Sequence, residues 1–129
     1  MRKGVIIAIA LGMSMLPMGR LGRSQEKVKT FMRVKLDHSQ RVLEGLATEN
    51  YDEIANNAER LTLLSQEVDW NVIQTAEYTR LSAEFRRATQ DLAKAAKAKN
   101  LDGATLAYVT VTLNCVQCHK HVRDVRAGK

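Results

Sequence analysis

Apolar residues recur along this chain at three- and four-residue steps, the spacing of one buried face of an α-helix. Four segments show it. In the first, from about residue 26 to 48, Val28, Met32, Leu36, Ser39, Leu43 and Leu46 fall on one stripe. Asn50, with Glu53 three positions on, has the form of a capping box. It predicts a second helix to about residue 67, with Ile54, Asn57 or Ala58, Leu61, Leu64 and Val68 turned inward. Residues 69–74 lack periodicity and read as the longest loop. Thr75 is the expected N-cap of a third helix that ends near Asn100, a residue that tolerates a left-handed terminus. Its stripe is Tyr78, Leu81, Phe85, Ala88, Leu92 and Ala95, with Lys94, Lys97 and Lys99 near its negative dipole end. Asp102 is read as the cap of a fourth helix over residues 103–125. Its inner face is Ala104, Ala107 or Tyr108, Val111, Cys115, Cys118 and Val122.

At a rise of about 1.5 Å per residue such helices are rods of roughly 25–37 Å. Rods of that length on short connections predict an all-α fold, an antiparallel up-down-up-down four-helix bundle. Each rod is marginal alone and is stabilised by burying its stripe. Composition agrees, because aromatic residues make up 5% of the chain and the single proline, Pro17, precedes every predicted helix. A length of 129 residues suits one domain.

The first two dozen residues read as an address. Arg2 and Lys3 precede an apolar run from Val5 to Met18, which has signal-peptide length and is short for a bilayer. Residues 1–24 are therefore expected to be a signal peptide and residues 25–129 the bundle. No A-x-A cleavage site is present, so an uncleaved anchor is the alternative. Removing the leader changes the charge argument. Of the 20 basic residues, Arg2, Lys3, Arg20 and Arg23 precede Ser24, leaving 16 against 14 acidic ones, or +2 in place of +6. With no basic stripe and no aromatic platforms, no nucleic-acid partner is expected.

The chemistry concentrates in Cys115-Val116-Gln117-Cys118-His119, a C-x-x-C-H sequence of the kind that attaches c-type haem. Positions i, i+3 and i+4 share one helix face, so both thiols and the imidazole can address one flat cofactor. Other uses of the cysteines fit less well. A redox dithiol wants a neighbouring strand, and no alternating run surrounds residue 115. A structural zinc site needs four convergent ligands, with only His38 and His121 left to complete it. A plain disulfide in an exported chain is the third alternative.

The leader, the four helices and this motif on the last helix resemble cytochrome c′ and its low-spin bundle relatives. The resemblance spans residues 26–127, with Met32-Arg33-Val34-Lys35-Leu36 on the first helix as a weaker echo. It implies one covalently bound haem c, with thioethers at Cys115 and Cys118 and iron held by His119. It also implies a basic residue beside the haem, a place Arg123 matches one turn after His119. The sixth iron position then decides the function. Met32, the only methionine beyond Met18, would give a saturated iron suited to carrying single electrons between redox proteins. Leu36 over the iron would instead leave a five-coordinate centre open to NO or CO. The chain is expected to be periplasmic or secreted, without enzymatic activity and without stable membrane contact unless the leader is retained. Family members often form homodimers through their first two helices, although no stripe here shows a clear surplus.

Smaller features carry expectations of their own. Gly45 within a helix suggests close approach of another helix or of the porphyrin edge. Trp70 is expected to pack under the loop. Tyr78 and Tyr108 need hydroxyl partners, a haem propionate among the candidates. His38 and His121 lie off the inner stripes and are expected at the surface.

Overall fold

The computed structural model describes the backbone of residues 19–129, and side chains from residue 25 onward except Val68. The expected leader lies outside the described residues as far as residue 18. Four helices follow: α1 (Gly19–Ala47), α2 (Tyr51–Leu64), α3 (Ala76–Lys97) and α4 (Leu101–Arg126). A 3-10 turn over Val68–Trp70 lies between α2 and α3. There is no strand among the described residues, and no described helix is long and apolar enough to cross a membrane. Each helix packs closely on the next one in sequence, and the contact that closes the ring, between α1 and α4, is slighter. The result is the expected all-α, up-down-up-down four-helix bundle.

Two of the three predicted caps are correct. Asn50 Oδ1 accepts a hydrogen bond from Glu53 N at 3.1 Å, and Thr75 Oγ1 accepts one from Tyr78 N at 3.1 Å. Each satisfies a backbone donor that the first helical turn leaves unpaired. The third cap is Asn100, which accepts from Gly103 N at 2.9 Å, and not Asp102. Asp102 instead lies in the first turn of α4, where a carboxylate favours the positive dipole end. The left-handed residue that ends α3 is correspondingly Lys99, at φ 53°, and not Asn100.

The core runs along the facing stripes. Ile54, Ala58 and Leu61 of α2 meet Tyr78, Phe85 and Leu92 of α3, and Ala104 and Val111 of α4 close the cluster. Trp70 is 2% exposed, packed as expected. Its Nε1 donates to Ser82 Oγ at 2.8 Å, and its ring stands 5.0 Å from that of Phe85. Gly45 marks a close helix approach: a Cβ there would lie 2.8 Å from Ile54 Cγ1, so α2 is the neighbour it admits.

The stripe on α1 differs from the expected one. Lys35, Val42 and Gly45 are its buried residues, while Leu36 and Leu43 are 45% and 55% exposed. The inward face is turned by about one residue because Lys35, 7% exposed, lies inside. Its Nζ stands 4.1 Å from the Trp70 ring centroid and 4.2 Å from that of Phe85. An ammonium over two aromatic faces is attracted by their quadrupoles, which offsets part of the cost of leaving water.

Candidate cofactor-binding site

Helix α4 continues without a break through residues 115–119, so the one-face geometry expected of Cys115, Cys118 and His119 is realised. Both cysteines are half-buried free thiols. Burial raises both thiols above their ordinary pKa of 9.0, against the opposing pull of the Lys35 charge, and so keeps them protonated. His119 is exposed on its outer side. Desolvation of its ring, together with the Lys35 and Arg123 charges, lowers its pKa and favours the neutral imidazole, the form that binds a metal.

A cavity of about 210 Å³ opens beside these residues. Cys115, His119 and Val111 of α4 form one wall, and Met32, Lys35, Leu36 and Ser39 of α1 form the other. Leu61 and Phe85 complete it. Met32 and Leu36, both singled out on the first helix, are therefore brought to the same space as His119. Arg123 is exposed, one turn beyond His119 on the same helix, and acts on the imidazole through its charge. Lys35 belongs to the same segment of α1, and periodicity alone gives it no role. Its signal is its place four residues after Phe31 and seven before Val42, in phase with the buried side.

The remaining polar groups have protein partners. Tyr108 Oη donates to the Ser39 carbonyl at 3.0 Å, tying α4 to α1, and Tyr78 Oη donates to the Trp70 carbonyl. Neither hydroxyl therefore needs a propionate. The two histidines expected at the surface are half-buried instead. His38 Nδ1 is 2.9 Å from Asn57 Oδ1, and His121 Nε2 is 2.8 Å from Thr75 Oγ1, so each links its helix to another part of the bundle. No group of three or more His, Cys, Asp or Glu able to hold a metal ion occurs among the described residues.

The donor set fits a haem: two thiols for its vinyl groups, one imidazole for its iron, and apolar and aromatic side chains alongside. The cavity is smaller than the roughly 300–1,000 Å³ usual for ligand sites. It adjoins the loosest seam of the bundle, between α1 and α4, and its floor includes the long Lys35 side chain.

Solved structures of similar fold are those of cytochrome c prime from Alcaligenes xylosoxidans. The nitric oxide complex of one of its variants matches with a TM-score of 0.65 at 18% identity, covering 80% of this chain and 94% of that one. A nitric oxide complex of a second variant gives 0.64 at 18%, over 79% and 94%. A ferrous form of a third gives 0.65 at 18%, over 80% and 96%. No protein-family model and no curated protein matches the sequence. The chain thus has the fold of a class, the four-helix-bundle c-type cytochromes. Cytochrome c prime has that fold, in agreement with the resemblance seen in the sequence.

Proposed function

We propose that this chain is a monohaem c-type cytochrome that carries single electrons between redox proteins. The observation that carries the reading is that Cys115 and His119 line a cavity that Met32 also lines, with Cys118 on the same helix as both. When bound, haem c supplies the one-electron couple of its iron, and the protein's part is attachment, ligation and exclusion of water. Cys115 and Cys118 provide the sulfurs for two thioether bonds. His119 provides the proximal nitrogen, held ready in its neutral form. Met32 offers a thioether from α1, which raises the potential of the couple and denies the site to exogenous ligands. Arg123 places a positive charge beside the imidazole. No enzymatic activity is assigned. The compartment is periplasmic or secreted, where cysteines can be joined to haem after export, and the leader of residues 1–24 would direct the chain there.

A second reading is favoured by one observation, that Leu36 lines the same cavity as Met32. If Leu36 covers the distal face, the iron is five-coordinate and the protein binds NO or CO, as the cytochrome c prime variants do with nitric oxide. Association of two copies, as a homodimer, is compatible with either reading.

Expression of the full chain with cytochrome maturation machinery tests the proposal. Covalent haem should appear as added mass and an unextractable Soret band, and Cys115→Ser with Cys118→Ser should remove it. The ferric protein should then be low-spin with a sulfur-to-iron charge-transfer band, and the reduced protein indifferent to CO. A high-spin spectrum that shifts with CO would replace the electron carrier by the gas binder. Absence of attached haem would end both.

A further inference from the structure

Helix α4 carries a second apolar stripe, on the side turned away from the core. Leu106, Val109, Leu113 and Val116 are between 50% and 70% exposed, and their spacing of three, four and three residues sets them along one line of the helix. Asp102 and Lys120, both exposed, extend that line by four residues at either end. Between them, over residues 103–119, the helix holds no Asp, Glu, Lys or Arg, although 26% of the chain is charged. The stripe is flanked by Thr105, Thr110, Thr112 and Gln117, all exposed. The three hydroxyls are already paired: Thr105 Oγ1 donates to Leu101 O at 2.9 Å, Thr110 Oγ1 to Leu106 O at 3.2 Å and Thr112 Oγ1 to Tyr108 O at 3.0 Å. Covering this face therefore takes apolar surface out of water and leaves no hydroxyl donor without its acceptor.

The order of the residues identifies what covers them. Laid antiparallel on a copy of itself, with a two-fold axis at the level of Val111, the stripe reads the same in both directions. Leu106 of one copy meets Val116 of the other, Val109 meets Leu113, and Asp102 meets Lys120 at both ends. The apolar layers thus lie between two ion pairs of opposite sign. A parallel pairing would instead set Asp102 against Asp102 and Lys120 against Lys120. Lys99, the next position outward, belongs to the turn before α4 and lies outside the pairing. We propose that this face of α4 is a self-association surface and that its partner is a second copy of this chain, packed antiparallel on it. The surface lies on the opposite side of α4 from Val111 and Cys115, so the inference stands without the haem reading. A contact over residues 102–120 is about 27 Å long and about 10 Å wide, a footprint well below the roughly 800 Å² per partner of a standard interface. The dimer is therefore reversible and concentration-dependent.

Sedimentation velocity on the exported, matured chain, from low micromolar to near-millimolar concentration, tests the proposal. Wild type should pass from monomer to dimer as concentration rises. Leu113→Lys buries an unpaired charge at two places in a symmetric dimer and should weaken association by about a hundredfold or more. Asp102→Lys alone and Lys120→Asp alone oppose like charges at both ends, and each should weaken it by about tenfold. The double variant, Asp102→Lys with Lys120→Asp, restores both ion pairs in reverse and should regain the wild-type affinity to within about threefold. Val34→Lys, on the exposed side of α1, is the control and should leave association unchanged. Far-UV circular dichroism checks that each variant is folded, and if Leu113→Lys is not, the charge-reversal series decides alone. A chain that is monomeric at every concentration overturns the inference and leaves the face to a partner of another kind. A dimer that survives a folded Leu113→Lys, or a double variant no tighter than the single ones, overturns it as well.

Discussion

Replacing Gly45 by alanine sets two known effects against each other at one carbon atom. In an exposed helix the change gains about 1 kcal/mol, because glycine loses more backbone freedom on folding. Gly45 is not exposed. An added Cβ would stand 2.8 Å from Ile54 Cγ1 and 3.2 Å from both Asn50 O and Ile54 N. Ile54 is fully buried, and Asn50 N donates to Gly45 O at 2.8 Å, which pins the α1–α2 corner at this point. Two of the three close atoms are backbone, so relief requires the start of α2 to move. Overpacking of that kind costs about 1–3 kcal/mol. The net expectation for Gly45→Ala is a loss of ~1 kcal/mol, and for Gly45→Leu a loss of at least ~2 kcal/mol. Urea unfolding followed by far-UV circular dichroism measures both, and each ~1 kcal/mol should lower Tm by roughly 4–8 °C in a domain of this size. A Gly45→Ala protein as stable as wild type, or more so, would show that α2 does not approach α1 as closely as described.

Three further outcomes are expected. Met32→Ala should turn the ferric haem protein high-spin and let the reduced form bind CO; an unchanged low-spin spectrum would remove Met32 from the iron. Thr75→Ala deletes both the cap of α3 and the partner of His121, and should cost about 1 kcal/mol in urea titration. Tyr78 has its pKa pushed up to about 12 from 10.0, chiefly by burial, so the unfolded chain releases this proton first. Its contribution to stability is therefore full below about pH 10 and lost between about 10 and 12. Tyr78→Phe should flatten that part of the pH–stability curve, and an identical slope in both proteins would assign the alkaline loss elsewhere.

The elements legible in the sequence are those whose signal is local. Asn50 and Thr75 cap as predicted because one side chain meets one backbone donor three residues away, and the motif at residues 115–119 needs only helical phase. Errors arise where two local choices compete or where tertiary contacts decide. Asn100 and Asp102 are both good caps, and the left-handed turn at Lys99 selects the earlier one. On α1 the apolar stripe through Leu36 and Leu43 is real, yet the aromatic pair Trp70 and Phe85 draws Lys35 inward and rotates the helix. A polar–apolar pattern cannot register a lysine that finds ring faces 35 and 50 residues further along. The half-buried His38 and His121 escaped for the same reason, since their partners Asn57 and Thr75 belong to other elements.

The slightest of the contacts around the ring of helices is the one between α1 and α4, the first helix and the last. Every strong interface links helices consecutive in the chain, so most of the bundle can assemble from contacts of modest sequence separation, which carry less entropic cost than distant ones. Helix α1 is then a door hung on residues 48–50, and swinging it leaves α2, α3 and α4 as a standing frame. The α1–α4 seam lies opposite that hinge, so a flat, rigid guest would be admitted there, with the other three helices already in place.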